Sequence, residues 1–359
     1  MTDLDIHQRL KAALDTFIDP EMGRPVGVTG QAGDCSVSGG VVTCRYSISS
    51  FMQPIAQELA DRLKSHIIAN VSGIQDVIIN ITTLSKPAPA IGQVGLKAKA
   101  VIAVAAGKGG VGKSSLSASI ALTLEKLGAK VGLMDADVYG PSIPHLLGLT
   151  GRPNVEDGKI VPIYSGTMPV MSMGFLVERD QAIVWRGPML HGSITQFLRD
   201  TAWGNIDYLI IDMPPGTGDV ALTLSQLVPL TGTVIVCTPQ EVALLDASKA
   251  IAMFDKTNVP VLGIVENMSG FTDPETGKTY EIFGKGGARA KAEEIGVPFL
   301  GEVPIQIALR RESDEGRLAE ALKDPQISKP FEDVCRGIVR SVASRHASQA
   351  QSAPLPVLQ

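Results

Sequence analysis

The sequence is poor in cysteine and histidine, and it has no long apolar run. Its 359 residues include four cysteines and five histidines, with no C-x-x-C and no histidines at i and i+4. This set predicts neither a disulfide framework nor a zinc site. No apolar stretch approaches the roughly 18 residues of a membrane-spanning helix, and the polar, acidic start of the sequence predicts no secretion signal. We therefore expect a protein of the cytoplasm or of a similar reducing compartment.

The net charge and the chain length limit the possible partners and the number of domains. The net charge is −5 and the pI is about 5.6, so the chain as a whole has no electrostatic footprint for nucleic acid. A hydrophobic fraction of 44% beside 19% charged residues is that of an ordinary soluble globule. A chain of this length has room for one large domain and one small domain.

Changes in composition divide the chain into four parts. Residues 1–84 are predicted to be a small α+β domain, and residues 85–98, rich in Pro, Gly and Ala, a linker. Residues 99–345 are predicted to be one large domain. Residues 346–359 are rich in Ser, Ala, Gln and Pro, which predicts a disordered tail.

The small domain has readable helix and strand signals. An apolar helix pattern stops at Asp19-Pro20, because a proline disfavours helix in the residue before it. A hairpin is predicted to turn at Gly39-Gly40, with Ser38 paired to Val41, which puts Cys35 opposite Cys44. A second helix over about 52–69 and a closing strand over 77–82 complete the unit.

The large domain alternates strands with helices, and this alternation predicts an α/β fold with a mostly parallel sheet covered on both faces. The near-continuous apolar character of several strands supports their burial. The predicted strands are 101–106, 130–135, 207–212, 232–237, 260–265 and 298–301.

A strand, a glycine loop and a helix follow each other at the start of this domain. The loop fits G-x-x-x-x-G-K-[ST], whose backbone N–H groups wrap the β-phosphate of a nucleotide. Lys113 is predicted to hold the β- and γ-phosphates of ATP, and the Ser114 hydroxyl to bind Mg²⁺. The predicted nucleotide contacts of the loop are Gly107, Lys108, Gly109, Gly110, Val111, Gly112, Lys113, Ser114 and Ser115.

Lys108 is an extra lysine at the second position of this loop. It stands too far forward to be the lysine that holds the phosphates of its own site. Its predicted target is a phosphate in a facing subunit, as is typical of the deviant Walker A ATPases, which enclose two nucleotides between two protomers. Since no arginine finger is identifiable, Lys108 is the predicted catalytic cation.

Three carboxylates and one amide follow the ends of predicted strands. Asp212 ends an apolar strand in Walker B form and is predicted to bind the metal, while Asp137 is predicted to align the attacking water and Asp135 to anchor its loop. Asp212 is followed by a Pro- and Gly-rich turn, 213–219, that can move when the γ-phosphate leaves. Asn267 is predicted to contact the adenine base.

These segments together resemble the Mrp/ApbC family of P-loop ATPases, relatives of MinD, over nearly the whole chain. The resemblance implies a cytoplasmic homodimer that binds and hydrolyses ATP and delivers iron–sulfur clusters to apoproteins. The small domain is similar to the iron–sulfur-assembly domain that often precedes this ATPase. The blocks that carry the resemblance are 107–115, Asp135-Ala-Asp-Val-Tyr-Gly-Pro-Ser142, Trp185-Arg-Gly-Pro-Met189, Asp212-Met-Pro-Pro-Gly-Thr-Gly-Asp219, Thr238-Pro-Gln240 and Glu266-Asn-Met-Ser269.

The sequence departs from this family at the expected cluster ligands. Members that bridge a cluster between subunits use a C-x-x-C shortly after the block that ends at Ser269, and here Asp273 and Thr276 stand in its place. Carboxylate and hydroxyl oxygens are poor substitutes for the soft thiolates that bind such clusters. The Gly-Cys-Pro of the small domain is replaced by Phe51-Met-Gln-Pro54.

The four cysteines present have two interpretations. Cys35 and Cys44 could supply four thiols in a dimer, but strand alternation puts them on an apolar face with Val37, Val42 and Tyr46, which favours two free cysteines in the core. Cys237 and Cys335 are predicted to be structural. Cys335 belongs to an amphipathic C-terminal helix that could bind a membrane but is predicted to cover the sheet.

Two functions therefore follow from the sequence. The first is an ATP-dependent iron–sulfur cluster carrier, which would need other thiols or a partner that contributes them. The second is a metal-free, MinD-like switch that dimerises with ATP and recruits or positions a partner. The sequence blocks shared with the Mrp/ApbC family favour the cluster carrier. The absence of the expected cluster-binding cysteines favours the metal-free switch. Neither function involves nucleic acid or a membrane-spanning segment.

Overall fold

The computed structural model describes residues 3–84, 90–91, 96–176 and 187–352. Most of the predicted linker, the start of the Trp185 block and residues 353–359 lie outside these ranges. The chain divides into two compact units. The first combines residues 1–86 with 339–359, and the second comprises residues 87–338. No helix in the described ranges is long and apolar enough to cross a membrane.

The first unit is a three-stranded sheet with helices. Strand β2 (Val41–Ser49) pairs antiparallel with β1 (Ala32–Ser38) and parallel with β3 (Asp76–Leu84). Ser38 pairs with Val41 as predicted. The first helix ends at Leu14, earlier than predicted, and Asp19 caps the turn behind it by accepting hydrogen bonds from the backbone of Glu21 and Met22. The elements are α1 (Asp3–Leu14), α2 (Val26–Thr29), β1 (Ala32–Ser38), β2 (Val41–Ser49), α3 (Ala56–Asn70) and β3 (Asp76–Leu84), with a 3₁₀ turn at Ser50–Ile55.

The second unit contains a ten-stranded, mostly parallel sheet, which confirms the predicted fold class. The strands are β4 (Ala90–Ile91), β5 (Leu96–Ala105), β6 (Val131–Asp135), β9 (Ile163–Ser165), β10 (Met168–Ser172), β11 (Ile206–Asp212), β12 (Gly232–Cys237), β13 (Val261–Thr272), β14 (Thr279–Tyr280) and β15 (Phe299–Ile305). Their order in the sheet is β14-β13-β12-β5-β11-β6-β10-β9, and in addition β15 pairs with β13 and β4 pairs with β5. A separate small hairpin joins β7 (Asn154–Glu156) to β8 (Lys159–Val161).

Helices connect and cover these strands. They are α4 (Lys113–Lys126), α5 (Ile143–Leu146), α6 (Gly187–Asp200), α7 (Asp219–Leu227), α8 (Glu241–Lys256), α9 (Gly287–Ile295), α10 (Ile307–Asp314), α11 (Leu318–Ala321) and α12 (Pro325–Ser352). Strands β5, β11 and β6 are adjacent and parallel, and Asp212 pairs in register with Asp135. The residues that follow these three strands are therefore brought to one edge of the sheet.

Helix α12 settles the two interpretations of the C-terminal segment. Its apolar stripe, including Phe331, Val334 and Ile338, is buried, and the absence of a side chain on Gly301 makes room for Val334 against β15. The stripe covers the sheet as predicted and is not available to a membrane. The helix also continues to Ser352, into the segment that the sequence predicts to be disordered. The His346 ring packs edge-on against Phe51, which gives this last part of the helix a tertiary contact.

Candidate nucleotide site

The glycine loop lies between the end of β5 and the start of α4. Gly112 has φ 79°, a left-handed conformation that favours glycine, and a Cβ there would lie 2.3 Å from Asn267 Nδ2. A Cβ on Gly107 would lie 2.1 Å from the carbonyl oxygen of Asp246 in α8. Two of the loop glycines are therefore required by close contacts, which fix the loop between α8 and β13.

A buried ion pair forms the centre of the site. Lys113 Nζ donates to Asp212 Oδ1 at 2.7 Å, with the lysine 6% and the aspartate 0% exposed. Ser117 Oγ, one helical turn after Lys113, also donates to Asp212 Oδ1 at 2.7 Å. The second carboxylate oxygen, Asp212 Oδ2, is buried and accepts no hydrogen bond. Because a buried polar atom normally has a partner, this oxygen is open to a further partner.

Asp135 anchors its loop, as the sequence predicts. Its Oδ1 accepts from the Asp137 N–H, and its Oδ2 accepts from the Ile143 N–H and the Ser172 hydroxyl, at 3.0–3.2 Å. Burial, and then the charge of Asp212 on the adjacent strand, raise the pKa of Asp135 to about 7. Asp135 is therefore committed to structure and holds its proton more tightly than an exposed carboxyl does.

Within the ranges that the structure describes, Asp137 and Lys108 each have a polar group without a hydrogen bond. Asp137 Oδ1 accepts from the backbone N–H groups of Tyr139 and Gly140, which closes the turn after β6. Its other oxygen accepts no hydrogen bond within the ranges that the structure describes. Lys108 is half-buried and makes no hydrogen bond or ion pair in those ranges. Both residues therefore keep a polar group available, as their predicted roles require.

The turn after Asp212 is attached to the end of β5. The N–H of Met213 donates to Val104 O at 3.0 Å, and that of Gly216 donates to Ala106 O at 2.9 Å. Pro215 between them is exposed. These two bonds place the predicted switch turn, 213–219, directly beside the glycine loop.

Asn267 contacts the glycine loop from β13. Its Nδ2 donates to Val111 O at 2.8 Å, so the side chain predicted to meet the base also holds the loop. The adjacent Glu266 is fully buried, and its carboxylate accepts from Ser269 Oγ and from the N–H groups of Gly286 and Ala288. Glu266 thereby ties the middle of β13 to the start of α9.

Two contributors to the site were missed from the sequence. Ser117 was read as part of the helix, although its position four residues after Lys113 gives it the same helical face and so the same neighbour, Asp212. Ser172 lies on β10, and no local signal connects it with Asp135. Of the Trp185 block, Trp185 and Arg186 lie outside the described residues, and Met189 is an exposed residue of α6.

The positions that replace the C-x-x-C form a closed turn. Asp273 Oδ1 accepts from the N–H groups of Glu275 and Thr276, and the Asp273 N–H donates to Lys278 O. The hydrogen bond from the Glu275 N–H, and then that from the Thr276 side chain, hold the pKa of Asp273 below its usual value. In the part of the chain described here, no group of three or more His, Cys, Asp or Glu residues could hold a metal ion. The turn is thus a structural element without thiols.

The cysteines of the small unit differ from the prediction. Cys35 and Cys44 are joined by a disulfide bond, with Cα atoms 4.2 Å apart, so the expectation of two free cysteines is wrong. Ser36 pairs with Thr43 in the predicted register, which sets Cys35 beside Cys44, and a bulge between Gly33 and Ser36 places Asp34 at φ 48°. Cys237 and Cys335 are free and buried, as predicted.

The fold and the site agree with comparisons to known proteins. The family of P-loop NTPases described as "ParA: NUBPL iron-transfer P-loop NTPase" matches residues 97–339. An iron–sulfur cluster carrier protein of Deinococcus radiodurans is 44% identical over 96% of this chain and 95% of its own length. An Arabidopsis thaliana protein described as an iron–sulfur protein required for mitochondrial NADH dehydrogenase is 46% identical over 68% of this chain and 79% of its own length.

A solved structure supports the nucleotide site. The nucleotide-binding protein of Archaeoglobus fulgidus, solved in complex with ADP and with cobalt found in it, is 43% identical to this chain. It covers 65% of this chain and 92% of its own chain with a TM-score of 0.58. The family match spans the glycine loop, the Lys113–Asp212 pair and Asn267 in one continuous segment. This chain therefore belongs to the NUBPL iron-transfer P-loop NTPases of the ParA type.

Proposed function

We propose that this chain binds and hydrolyses ATP and carries iron–sulfur clusters to apoproteins. The observation that carries this conclusion is its 44% identity, over 96% of the chain, to a protein named as an iron–sulfur cluster carrier. That alignment includes the small unit as well as the nucleotide site, so it concerns the whole architecture and not the P-loop alone. The cluster is the cargo, and ATP provides the change of state.

Nucleotide binding would exchange the partners of the central ion pair. Lys113 is held by Asp212, and it would move to the β- and γ-phosphates when ATP enters the loop. Asp212 Oδ2, buried and without a partner, and the Ser114 hydroxyl, 3.2 Å from Lys113 Nζ, suit a hard cation with oxygen ligands such as Mg²⁺. When bound, Mg²⁺ would neutralise phosphate charge.

Hydrolysis would need a second copy of the chain. Lys108 is not engaged within the described parts of its own chain, which supports a role on a phosphate of the facing subunit. Asp137, with one oxygen outside its turn, would align the attacking water. Since the site is complete only in the homodimer, turnover is expected to be slow. Asn267 would contact the adenine while holding Val111.

The test is cluster loading followed by transfer. The protein is purified anaerobically, treated with a dithiol and reconstituted with ferrous iron and sulfide. Iron, acid-labile sulfide and the visible spectrum are then measured, and the loaded protein is mixed with an apo-ferredoxin with and without ATP. We expect stoichiometric iron and sulfide with a charge-transfer band, and restoration of the ferredoxin spectrum. A protein that hydrolyses ATP but binds no iron would instead be the metal-free switch.

A further inference from the structure

The carboxylate of Asp212 has two hydrogen-bond donors on one oxygen and none on the other. Lys113 Nζ and Ser117 Oγ each lie 2.7 Å from Oδ1, whereas Oδ2 is buried and accepts no hydrogen bond from the described residues. The two donors stand four residues apart on α4, which places them on the same face of the helix. Helix α4 therefore engages one carboxylate oxygen and leaves the other open.

The main chain of Asp212 is fixed by both neighbouring strands. Asp212 is in register with Val104 of β5 and with Asp135 of β6, and its carbonyl oxygen accepts from the Ala136 N–H at 2.9 Å. The direction of Oδ2 therefore depends on the side-chain torsions of Asp212. Since this side chain is 0% exposed, hydrogen bonds from protein groups, and not bulk water, hold those torsions.

The Ser117 hydroxyl has two acceptors but only one proton. Besides Asp212 Oδ1, the carbonyl oxygen of Lys113 lies 2.9 Å from Ser117 Oγ. A hydroxyl donates one hydrogen bond at a time. While the Lys113 ammonium neutralises Asp212, the proton can go to either acceptor. When that ammonium moves to the phosphates, Asp212 becomes the preferred acceptor, because hydrogen bonds to an ionised carboxylate are stronger than those to a neutral carbonyl.

We propose that Ser117 is a positioning residue, which holds Asp212 Oδ1 when Lys113 moves to the nucleotide and so keeps Oδ2 free for the cation of the nucleotide complex. This inference rests on the nucleotide chemistry of the proposed function. Without the Ser117 hydroxyl, the departure of Lys113 would leave Asp212 with no donor among the described residues, a costly state for a buried carboxylate. The side chain that orients a metal ligand typically changes metal affinity by about 10–100-fold.

Helix α4 also contains a matched control. Ser119 is 0% exposed on the same helix, and its hydroxyl has no hydrogen-bond partner in the part of the chain that the structure describes. Ser119→Ala therefore removes the same atom from the same helix without removing a hydrogen bond of Asp212. Ser117→Thr, in turn, keeps the hydroxyl that Ser117→Ala removes.

The experiment measures metal affinity separately from nucleotide affinity. Binding of ADP is first measured in EDTA for the wild type, Ser117→Ala, Ser117→Thr and Ser119→Ala. Binding of Mn²⁺ to each metal-free ADP complex is then followed by electron paramagnetic resonance, with Mg²⁺ as the competitor. We expect Ser117→Ala to bind Mn²⁺ about tenfold more weakly than the wild type, with its affinity for ADP in EDTA unchanged. Ser117→Thr and Ser119→Ala should bind Mn²⁺ as the wild type does.

Equal Mn²⁺ affinity in the wild type and Ser117→Ala would overturn the inference. An equal loss in Ser119→Ala would also overturn it, because the loss would then follow from removing any buried hydroxyl of α4. If Ser117→Ala does not fold, Ser117→Cys keeps the side-chain size but offers only a weak donor. We expect the same loss in that variant, and wild-type affinity there would contradict the role of the hydroxyl. Failure of the wild type to bind ADP would instead remove the nucleotide part of the proposed function.

Discussion

In the proposed mechanism, the buried pair of Lys113 and Asp212 would exchange its electrostatic partners when a nucleotide binds. In the structure each charge compensates the other inside the protein, at 2.7 Å. Removing either side chain would leave an uncompensated buried charge, a strongly destabilising change. The proposed nucleotide and its cation would give each side chain a new partner, so that no charge would be left unpaired.

A substitution of Lys108 tests whether ATP hydrolysis depends on this lysine. We expect Lys108→Ala to lower the ATPase rate by about 100-fold or more, because it removes one preorganised cation from the transition state. Nucleotide affinity should change little, since Lys113 and the loop backbone remain. Hydrolysis and equilibrium nucleotide binding are measured side by side, with the exposed Lys323→Ala as the control. Normal hydrolysis by Lys108→Ala would show that the lysine has no catalytic role.

Asp135 gives the nucleotide-free protein a pH-dependent stability. Its pKa is raised from 3.8 to about 7, so the folded protein keeps a proton that the unfolded chain loses between these values. The free energy of unfolding therefore falls as the pH rises from about 4 to 7, by at most about 4 kcal/mol, and this contribution is level above the window.

Thermal unfolding from pH 5 to 8 without nucleotide measures this effect. We expect a falling melting temperature for the wild type and a flatter profile for Asp135→Asn, which has no titrating carboxyl. Ser172→Ala is the control, since it removes one hydrogen bond to Asp135 but leaves the charge. Equal slopes for the wild type and Asp135→Asn would contradict the role given to Asp135.

At the scale of elements, the glycine loop depends on its contact with α8. A Cβ on Gly107 would overlap the backbone of Asp246, whereas a Cβ on Gly109 would meet nothing within 4 Å. We expect Gly107→Ala to destabilise the nucleotide-free protein by about 1–3 kcal/mol and Gly109→Ala to leave its melting temperature unchanged. Calorimetry of both variants decides this, and equal melting temperatures would mean that the loop can move away from α8.

The hairpin of the small unit predicts a second element-scale effect. The disulfide closes a loop of nine residues, so its reduction should lower the free energy of unfolding of this unit by about 2–3 kcal/mol. Denaturant unfolding with and without a dithiol measures the difference. Cys35→Ser is the control and should be insensitive to the reductant. A wild type with the same sensitivity as this variant would indicate that the bond does not form in solution.

At the scale of the whole molecule, catalysis in trans can be tested by mixing two inactive variants. Lys108→Ala keeps its own nucleotide loop, while Lys113→Arg keeps a cation beside Asp212 and also keeps Lys108, the lysine proposed to reach across the dimer. In an equal mixture half of the dimers combine the two, and each such dimer has one complete site. We therefore expect about a quarter of the wild-type ATPase activity. No activity above that of the separate variants would place Lys108 in its own site.

The sequence by itself determined the local features of this protein. The glycine loop could be predicted because its conformation depends on glycines and on a lysine at fixed spacing. Asp135 and Asp212 could be placed at one edge because both end apolar, parallel strands. The hairpin pairing of Ser38 with Val41 followed from a two-residue turn. Each of these predictions rests on a pattern within a short segment of the sequence, including the two separate strand ends at Asp135 and Asp212.

The tertiary structure decided which distant groups meet. The bond between Lys113 and Asp212 spans 99 residues, and Ser172 reaches Asp135 from a strand of its own. The ring of His346 in the last helix packs against Phe51, which lies far earlier in the sequence. These contacts could not be predicted from a local sequence pattern, because they depend on packing between elements that are far apart along the chain.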